Sequence, residues 1–225
     1  MTSSHPTPSS GHVSANTQQQ TGNKPGKPRS LTPLVMVLLL SLAPVIGAVL
    51  VYFNPEWQPS GSVNYGTLVQ PQRPMPPPQE LELRTLDGKP FDLQSLKGKW
   101  LLAAADGAAC PESCARKLFI LRNSHASQGK NVDRVNRIWF ITDDAPVPEQ
   151  VLEAYKGTIM VRAKPEQLAK FLPTLNSGPN GQPALKEPMW IMDPLGNLIL
   201  QYPVDADPLR FRKDLSRLIY NSRIG

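Results

Sequence analysis

Residues 34–53 read LVMVLLLSLAPVIGAVLVYF and contain no charged side chain. As a helix rising 1.5 Å per residue, such a run covers the roughly 30 Å hydrocarbon core of a bilayer. It has no polar face, so it does not read as the core helix of a soluble domain. Pro44 and Gly47 lie inside it, and both are tolerated in membrane helices. Tyr52 and Trp57 are placed for the far interface. The run is longer than a secretory signal core, 33 mostly polar residues precede it, and no small-x-small cleavage site follows. A retained anchor is the expectation. Lys24, Lys27 and Arg29 flank its N-terminal side, whereas the C-terminal side has Glu56 and no basic residue before Arg73. The positive-inside rule then leaves the N-terminus in the cytoplasm and everything beyond about residue 54 outside. In a bacterial cell this is a single-pass inner-membrane protein with a periplasmic domain.

The rest of the chain divides by composition. Residues 1–33 are polar and low in apolar side chains, which reads as a disordered cytoplasmic tail. His5 and His12 lie there as incidental polar residues. Residues 54–79 carry a cluster of prolines and read as an extended, stiff tether. The domain proper is expected over 80–225. The formal charge is +6, but Lys and Arg are scattered, without a basic run or interleaved aromatics. Nucleic-acid binding is therefore excluded as a reading.

From Glu80 the pattern is that of a mixed fold. LELRTL and PFDLQSL flank Asp87-Gly88, a hairpin turn signal. An apolar strand follows at 100–106 (WLLAAAD), then a small-residue loop and a helix from Pro111 to about Ser124. Strand 137–144, helix 148–155, strand 158–163 and helix 165–173 come next. A second hairpin, 189–193 with 198–203, and a helix starting at Asp207-Pro208 close the chain. The last helix has Phe211, Leu215, Leu218 and Ile219 on one face. Strands alternating with helices call for a sheet covered on both faces. The expected class is α/β, a thioredoxin-like mixed sheet flanked by helices and preceded by one transmembrane helix. Trp139 and Trp190 are expected in the core.

The two cysteines, Cys110 and Cys114, are the only ones. So close together they cannot staple a fold, and they read as a local chemical pair. Cys110 ends the loop after a strand and Cys114 sits one turn into the helix, so both sulfurs share a helix face with Leu118 and Leu121. The positive helix end favours a thiolate at Cys110, and Arg116 and Lys117 add nearby charge or point to solvent. The pair is able to close as a disulfide if the first helical turn adjusts, since such Cα atoms lie near the upper limit of allowed separation. Two thiolates one turn apart also suit a soft ion such as Cu(I). Asp143 and Asp144 end a strand on the side of the Cys loop and read as solvated carboxylates. The position three before Cys110 is Gly107 rather than Thr, which removes a peroxiredoxin reading. No serine-hydrolase, phosphate-loop or zinc signature is present.

The anchor together with NYG (64–66), LDGKPFDLQSLKGKW (86–100), CPESC (110–114), WFITDD (139–144) and MDPLGN (192–197) resembles the Sco/SenC family, over about 50–225. Members of that family serve copper-site assembly in cytochrome c oxidase and have a thioredoxin fold. They bind copper through two Cys and a distant His. The resemblance makes Cys110 and Cys114 both the redox pair and the candidate copper ligands. The His has no counterpart: the region before the Asp-Pro-x-Gly turn reads QPALKEPMWIMDPLGN. His125 lies about 15 Å down the first helix by helical rise. Met189 and Glu187 are not assigned as substitutes. Pro188 stands where thioredoxin-like folds often place a cis-proline, and also where an ordinary trans proline starts a strand.

The expected role is thiol–disulfide exchange at Cys110 and Cys114 on the copper-ligand cysteines of the oxidase, with Cys110 attacking and Cys114 resolving. The alternatives are a copper(I) metallochaperone using the same pair, and a non-catalytic assembly scaffold. The expected partners are the bilayer and an oxidase subunit or its assembly factors. Copper is the only candidate cofactor.

Overall fold

The computed structural model describes residues 30–54, 57, 64–174 and 184–224. The expected tail of residues 1–33, with His5 and His12, lies almost wholly outside the described residues. The chain forms two compact units, Met1–Ser60 and Gly61–Gly225.

The first unit holds helix α1, Thr32–Phe53, with Pro33 in its first turn and Pro44 inside it. None of its side chains is buried, as suits a helix whose solvent is lipid. Its few polar groups turn back on its own backbone. Ser41 Oγ donates to the Leu38 carbonyl at 2.9 Å, and Asn54 Nδ2 donates to that of Leu50 at 2.7 Å. By length and composition it is able to cross a membrane.

The second unit is an eight-stranded mixed sheet. Its strands are β1 (Thr67–Pro74), β2 (Leu83–Thr85), β3 (Pro90–Phe91), β4 (Trp100–Asp106), β5 (Val135–Ile141), β6 (Ile159–Ala163), β7 (Met189–Met192) and β8 (Asn197–Tyr202). They lie in the order β1-β8-β7-β4-β5-β6-β2-β3. β4, β5 and β6 run parallel, in register from Trp100 opposite Val135 to Asp106 opposite Ile141. β7 is antiparallel to β4 on its other edge. The helices are α2 (Glu112–Ala126), α3 (Glu149–Ala154), α4 (Pro165–Phe171) and α5 (Pro208–Asn221).

The period-2 alternation of β4 sorts two cores. Trp100, Leu102 and Ala104 face α2 and α5, with Leu118, Leu121, Phe211 and Leu215. Leu101, Ala103 and Ala105 face the other way, toward Leu168 and Phe171 of α4. Trp139 and Trp190, expected inside, are fully buried on opposite faces. The thioredoxin-like mixed sheet with helices on both faces is the one expected from the sequence. In the first hairpin the second strand stops at Phe91. Asp92 then caps a 3₁₀ turn, its carboxylate accepting from Gln94 N at 2.9 Å.

One boundary moves. The stretch read as tether over 54–79 contains β1, an edge strand paired antiparallel to β8, with Leu68 opposite Leu200 and Pro74 opposite Asn197. The domain therefore begins near Gly61, not Glu80. Prolines are compatible with an edge strand, whose outer side needs no ladder donors. The apolar signal was thin but real, since Val69 and Met75 are buried in the α4-side core.

The start of this strand is pinned to α5. The buried Asp214 carboxylate accepts from Tyr65 N at 2.7 Å, Gly66 N at 2.9 Å and the Tyr202 hydroxyl at 3.1 Å. Arg210 lies 4.0 Å over the Tyr65 ring. A Cβ on Gly66 would come within 2.5 Å of the Tyr202 ring, which explains the glycine. Burial, then the Asp214 charge, pushes the Tyr202 phenol far above its ordinary pKa, so it stays a donor. Asp214→Ala leaves three buried or half-buried donors unmatched. It should lower the stability of the full chain in detergent by about 3 kcal/mol. The measurement is urea unfolding, with a lower midpoint and an unchanged slope.

Candidate functional site

The site forms where β4 ends. All seven β4 residues are buried, Asp106 included. Beyond it the chain must leave the sheet and enter α2 within five residues. Cys110 N donates to Gly107 O at 3.1 Å, closing a turn, and Cys110 takes a left-handed φ of 43°. For a residue with a Cβ that conformation costs about 1–2 kcal/mol. It places Cys110 just outside the helix, ahead of the N-cap Pro111. That is the adjustment the pair needs to close: Cys110 and Cys114 are joined in a disulfide, with Cα atoms 5.0 Å apart. Both cysteines are buried, and Cys110, which lies outside the helix, is the less buried residue at 8 % exposure against 1 % for Cys114.

Four side chains hold this corner. Asp143, read from sequence as a solvated carboxylate, is exposed but accepts from Ala108 N at 3.1 Å. A Cβ on Gly107 would fall on its Oδ2 atom, so glycine is required for that approach. Arg162 of β6 braces the same loop, donating to Asp143 O at 2.6 Å and Ala145 O at 3.0 Å. On the helix side, the Tyr155 hydroxyl donates to Ala115 O at 2.8 Å, beside Cys114.

The fourth side chain is Lys117, which lies inside the protein with no exposure at all. Its ammonium is 3.0 Å from Asp106 Oδ2, donates to Ala105 O at 2.8 Å, and donates to Lys186 O. Asp106 Oδ1 accepts from Gly107 N at 2.9 Å, while Oδ2 has the ionic contact and no further partner. Burial pushes the Lys117 pKa down, and the Asp106 charge opposes that. Removing one member of such a pair costs about 3–5 kcal/mol, because the other is left as a lone buried charge. Arg116, its neighbour in sequence, is exposed. The sequence did carry the signal. Lys117 falls on the stripe of Cys114, Leu118 and Leu121, and Asp106 ends an otherwise apolar strand.

The remaining sequence candidates fall as follows. Pro188 is buried at the mouth of β7, but its peptide bond is not cis; the cis bond among the described residues is Gln70–Pro71. Trans is the intrinsically favoured state of an X-Pro bond, and here Pro188 simply leads from a turn, closed by Glu187 N to Ala184 O at 3.2 Å, into the strand. Met189 is a core residue opposite Ala104. His125 stands at the far end of α2, where burial, then Arg137, lowers its pKa. It is not brought to the Cys pair. Among the described residues no three His, Cys, Asp or Glu side chains are grouped to hold a metal ion. The donors at the corner are two sulfurs, which do not make a three-ligand copper site.

A sequence model described as the transmembrane-like, thioredoxin-like C-terminal domain matches residues 100–222. The chain belongs to that family. The match spans β4, the Cys pair, both flanking cores and α5. No curated protein matches the chain. Among solved structures, the copper-bound crystal structure of Arabidopsis thaliana ScoI is 19% identical, with a TM-score of 0.50, over 63% of this chain and 96% of that one. The apo Sco1 protein from Thermus thermophilus is 18% identical, with a TM-score of 0.51, over 72% and 99%. Yeast Sco1 is 15% identical, with a TM-score of 0.51, over 68% and 98%. The structural neighbours of this thioredoxin-like domain are thus Sco proteins, and the likeness is one of fold.

The Asp143 latch is testable apart from any activity. Asp143→Ala should speed hydrogen exchange at Ala108 by about tenfold or more, the loss of a bond worth about 1.5 kcal/mol, and leave protection in β4 unchanged.

Proposed function

We propose that this chain is a membrane-anchored thiol–disulfide protein that aids assembly of the copper site of cytochrome c oxidase. The observation that carries it is the closed Cys110–Cys114 pair at the strand-to-helix corner, with Cys110 the less buried residue of the two. The Sco fold of the neighbours supports the pathway.

The chemistry follows from the asymmetry. In the reduced chain the Cys110 thiolate attacks a disulfide of the partner. A mixed disulfide forms, and one partner sulfur leaves as a thiolate that takes up a proton. Cys114, which loses its own proton to solvent, then attacks Cys110 Sγ. The Cys110–partner bond breaks, the Cys110–Cys114 bond forms, and the second partner sulfur leaves. The partner gains two electrons and two protons, and a dithiol reductant must restore the pair. The positive end of α2 favours the anionic form of Cys110. Cysteines destined to ligate copper must be reduced before they bind it. A domain held outside the cytoplasm on an anchor with a cytoplasmic N-terminus, in the bacterial inner membrane, meets them in an oxidising compartment.

A second reading has copper(I) as cargo on the same two sulfurs, as the copper-bound state of Arabidopsis ScoI suggests. The donor set here is two sulfurs without a third ligand, which favours exchange over carriage. The two readings separate cleanly. Cys114→Ser should trap a mixed disulfide with an oxidase subunit or assembly factor, seen as a covalent adduct on non-reducing gels and lost in Cys110→Ser. Oxidase activity of cells carrying either variant should fall to the level of the deletion strain. Stoichiometric copper(I) binding by the reduced full chain, abolished by Cys110→Ser and accompanied by no trapped adduct, would replace exchange with carriage. Full oxidase activity in the Cys110→Ser/Cys114→Ser double variant would leave only a scaffold.

A further inference from the structure

Two buried charged side chains, Lys117 and Asp106, lie beneath the Cys pair. The inner face of α2 is otherwise built of Cys114, Leu118, Ile120, Leu121 and Ser124, yet it carries a lysine one turn after Cys114. Helical side chains lean toward the helix N-terminus, so Lys117 reaches back toward the cysteines. An ammonium has three hydrogens, and here three acceptors meet it: Asp106 Oδ2, Ala105 O and Lys186 O. These belong to two segments besides its own helix. Ala105 and Asp106 end β4, five and four residues before Cys110. Lys186 lies in the turn that leads to Pro188 and β7, the strand paired with β4. A well-packed apolar residue in place of a buried ion pair is often as stable or more so. Stability alone therefore does not account for a lysine at this position.

We propose that Lys117 is a positioning residue for the thiol pair, a buried clamp that fixes α2 against the end of β4 and so sets the effective concentration of Cys114 at Cys110. When the pair is reduced, only the short backbone run Pro111–Ser113 links Cys110, which hangs from β4 by the loop 107–109, to Cys114, which rides on α2. The clamp ties those two supports directly. Effective concentration in a folded protein is set by how narrowly two groups are held. A held pair closes readily and its disulfide resists reduction; a loosened pair favours the dithiol. This inference rests on the exchange reading of the same site.

The test is the equilibrium of the full chain in detergent with glutathione. The reaction is balanced: the Cys110–Cys114 dithiol and one glutathione disulfide give the protein disulfide and two glutathione thiols. Lys117→Met keeps length and removes the clamp. It should shift the equilibrium toward the dithiol by roughly tenfold, about 30 mV. Asp106→Asn weakens one arm and leaves the two carbonyl contacts. It should shift it in the same direction by a smaller factor, and it decides the matter if Lys117→Met does not fold. Lys164→Met, which removes an exposed bridge to Glu82, should leave the equilibrium unchanged. Folded Lys117→Met and Asp106→Asn chains that both equilibrate as the wild type does would overturn the clamp while leaving exchange intact. Shifts of opposite sign in those two variants would also overturn it, since they would mark a charge effect. A wild-type pair that never equilibrates with glutathione would remove the exchange reading, and the clamp with it.

Discussion

Everything in the domain is measured from β4, a strand buried along its whole length and paired on both edges. A strand with no free edge and no solvent face has a fixed register and a fixed end. That end delivers Gly107–Cys110 to one point, and parallel pairing with β5 brings Asp143 to the same side. Antiparallel pairing with β7 brings the turn around Lys186 there from the other edge. The corner is therefore the product of three neighbouring strands, and a side chain on each of their loops or on α2 ties it together. This is the crevice at the carboxyl ends of parallel strands where open α/β sheets place their sites.

The elements legible in the sequence were those with an unambiguous period. β4, β5, α2, the Met189–Tyr202 hairpin and α5 each carry an apolar pattern that only one structure satisfies, and the Cys pair was placed at its strand–helix junction by them. What stayed hidden depended on long-range pairing. Thr67–Pro74 has six polar or proline positions among its eight, and only β8 makes it a strand. Asp143 looks like any loop acid until Ala108, thirty-five residues away, presents its N–H. Lys117 was hidden by chemistry rather than distance. A lysine on an apolar stripe normally snorkels out, and nothing local announces that Ala105 O, Asp106 and Lys186 O will be waiting inside.

Polar burial elsewhere serves different ends. Asp214 uses its charge to gather two backbone donors and a phenol, fastening the first residues of the domain to its last helix. Asp106 instead faces a cation. The first arrangement joins the ends of the domain, and the second joins the parts of the reactive corner.

That second arrangement also draws on the segment before β7, which reads QPALKEPMW. It gives its Lys186 carbonyl to Lys117. The turn that leads into β7 thus helps to hold the support beneath the sulfurs. A corner built this way holds the Cys110–Cys114 disulfide where the end of β4, the first turns of α2 and the turn before β7 meet, and two of the three acceptors that fix its lysine are backbone carbonyls set by strand pairing.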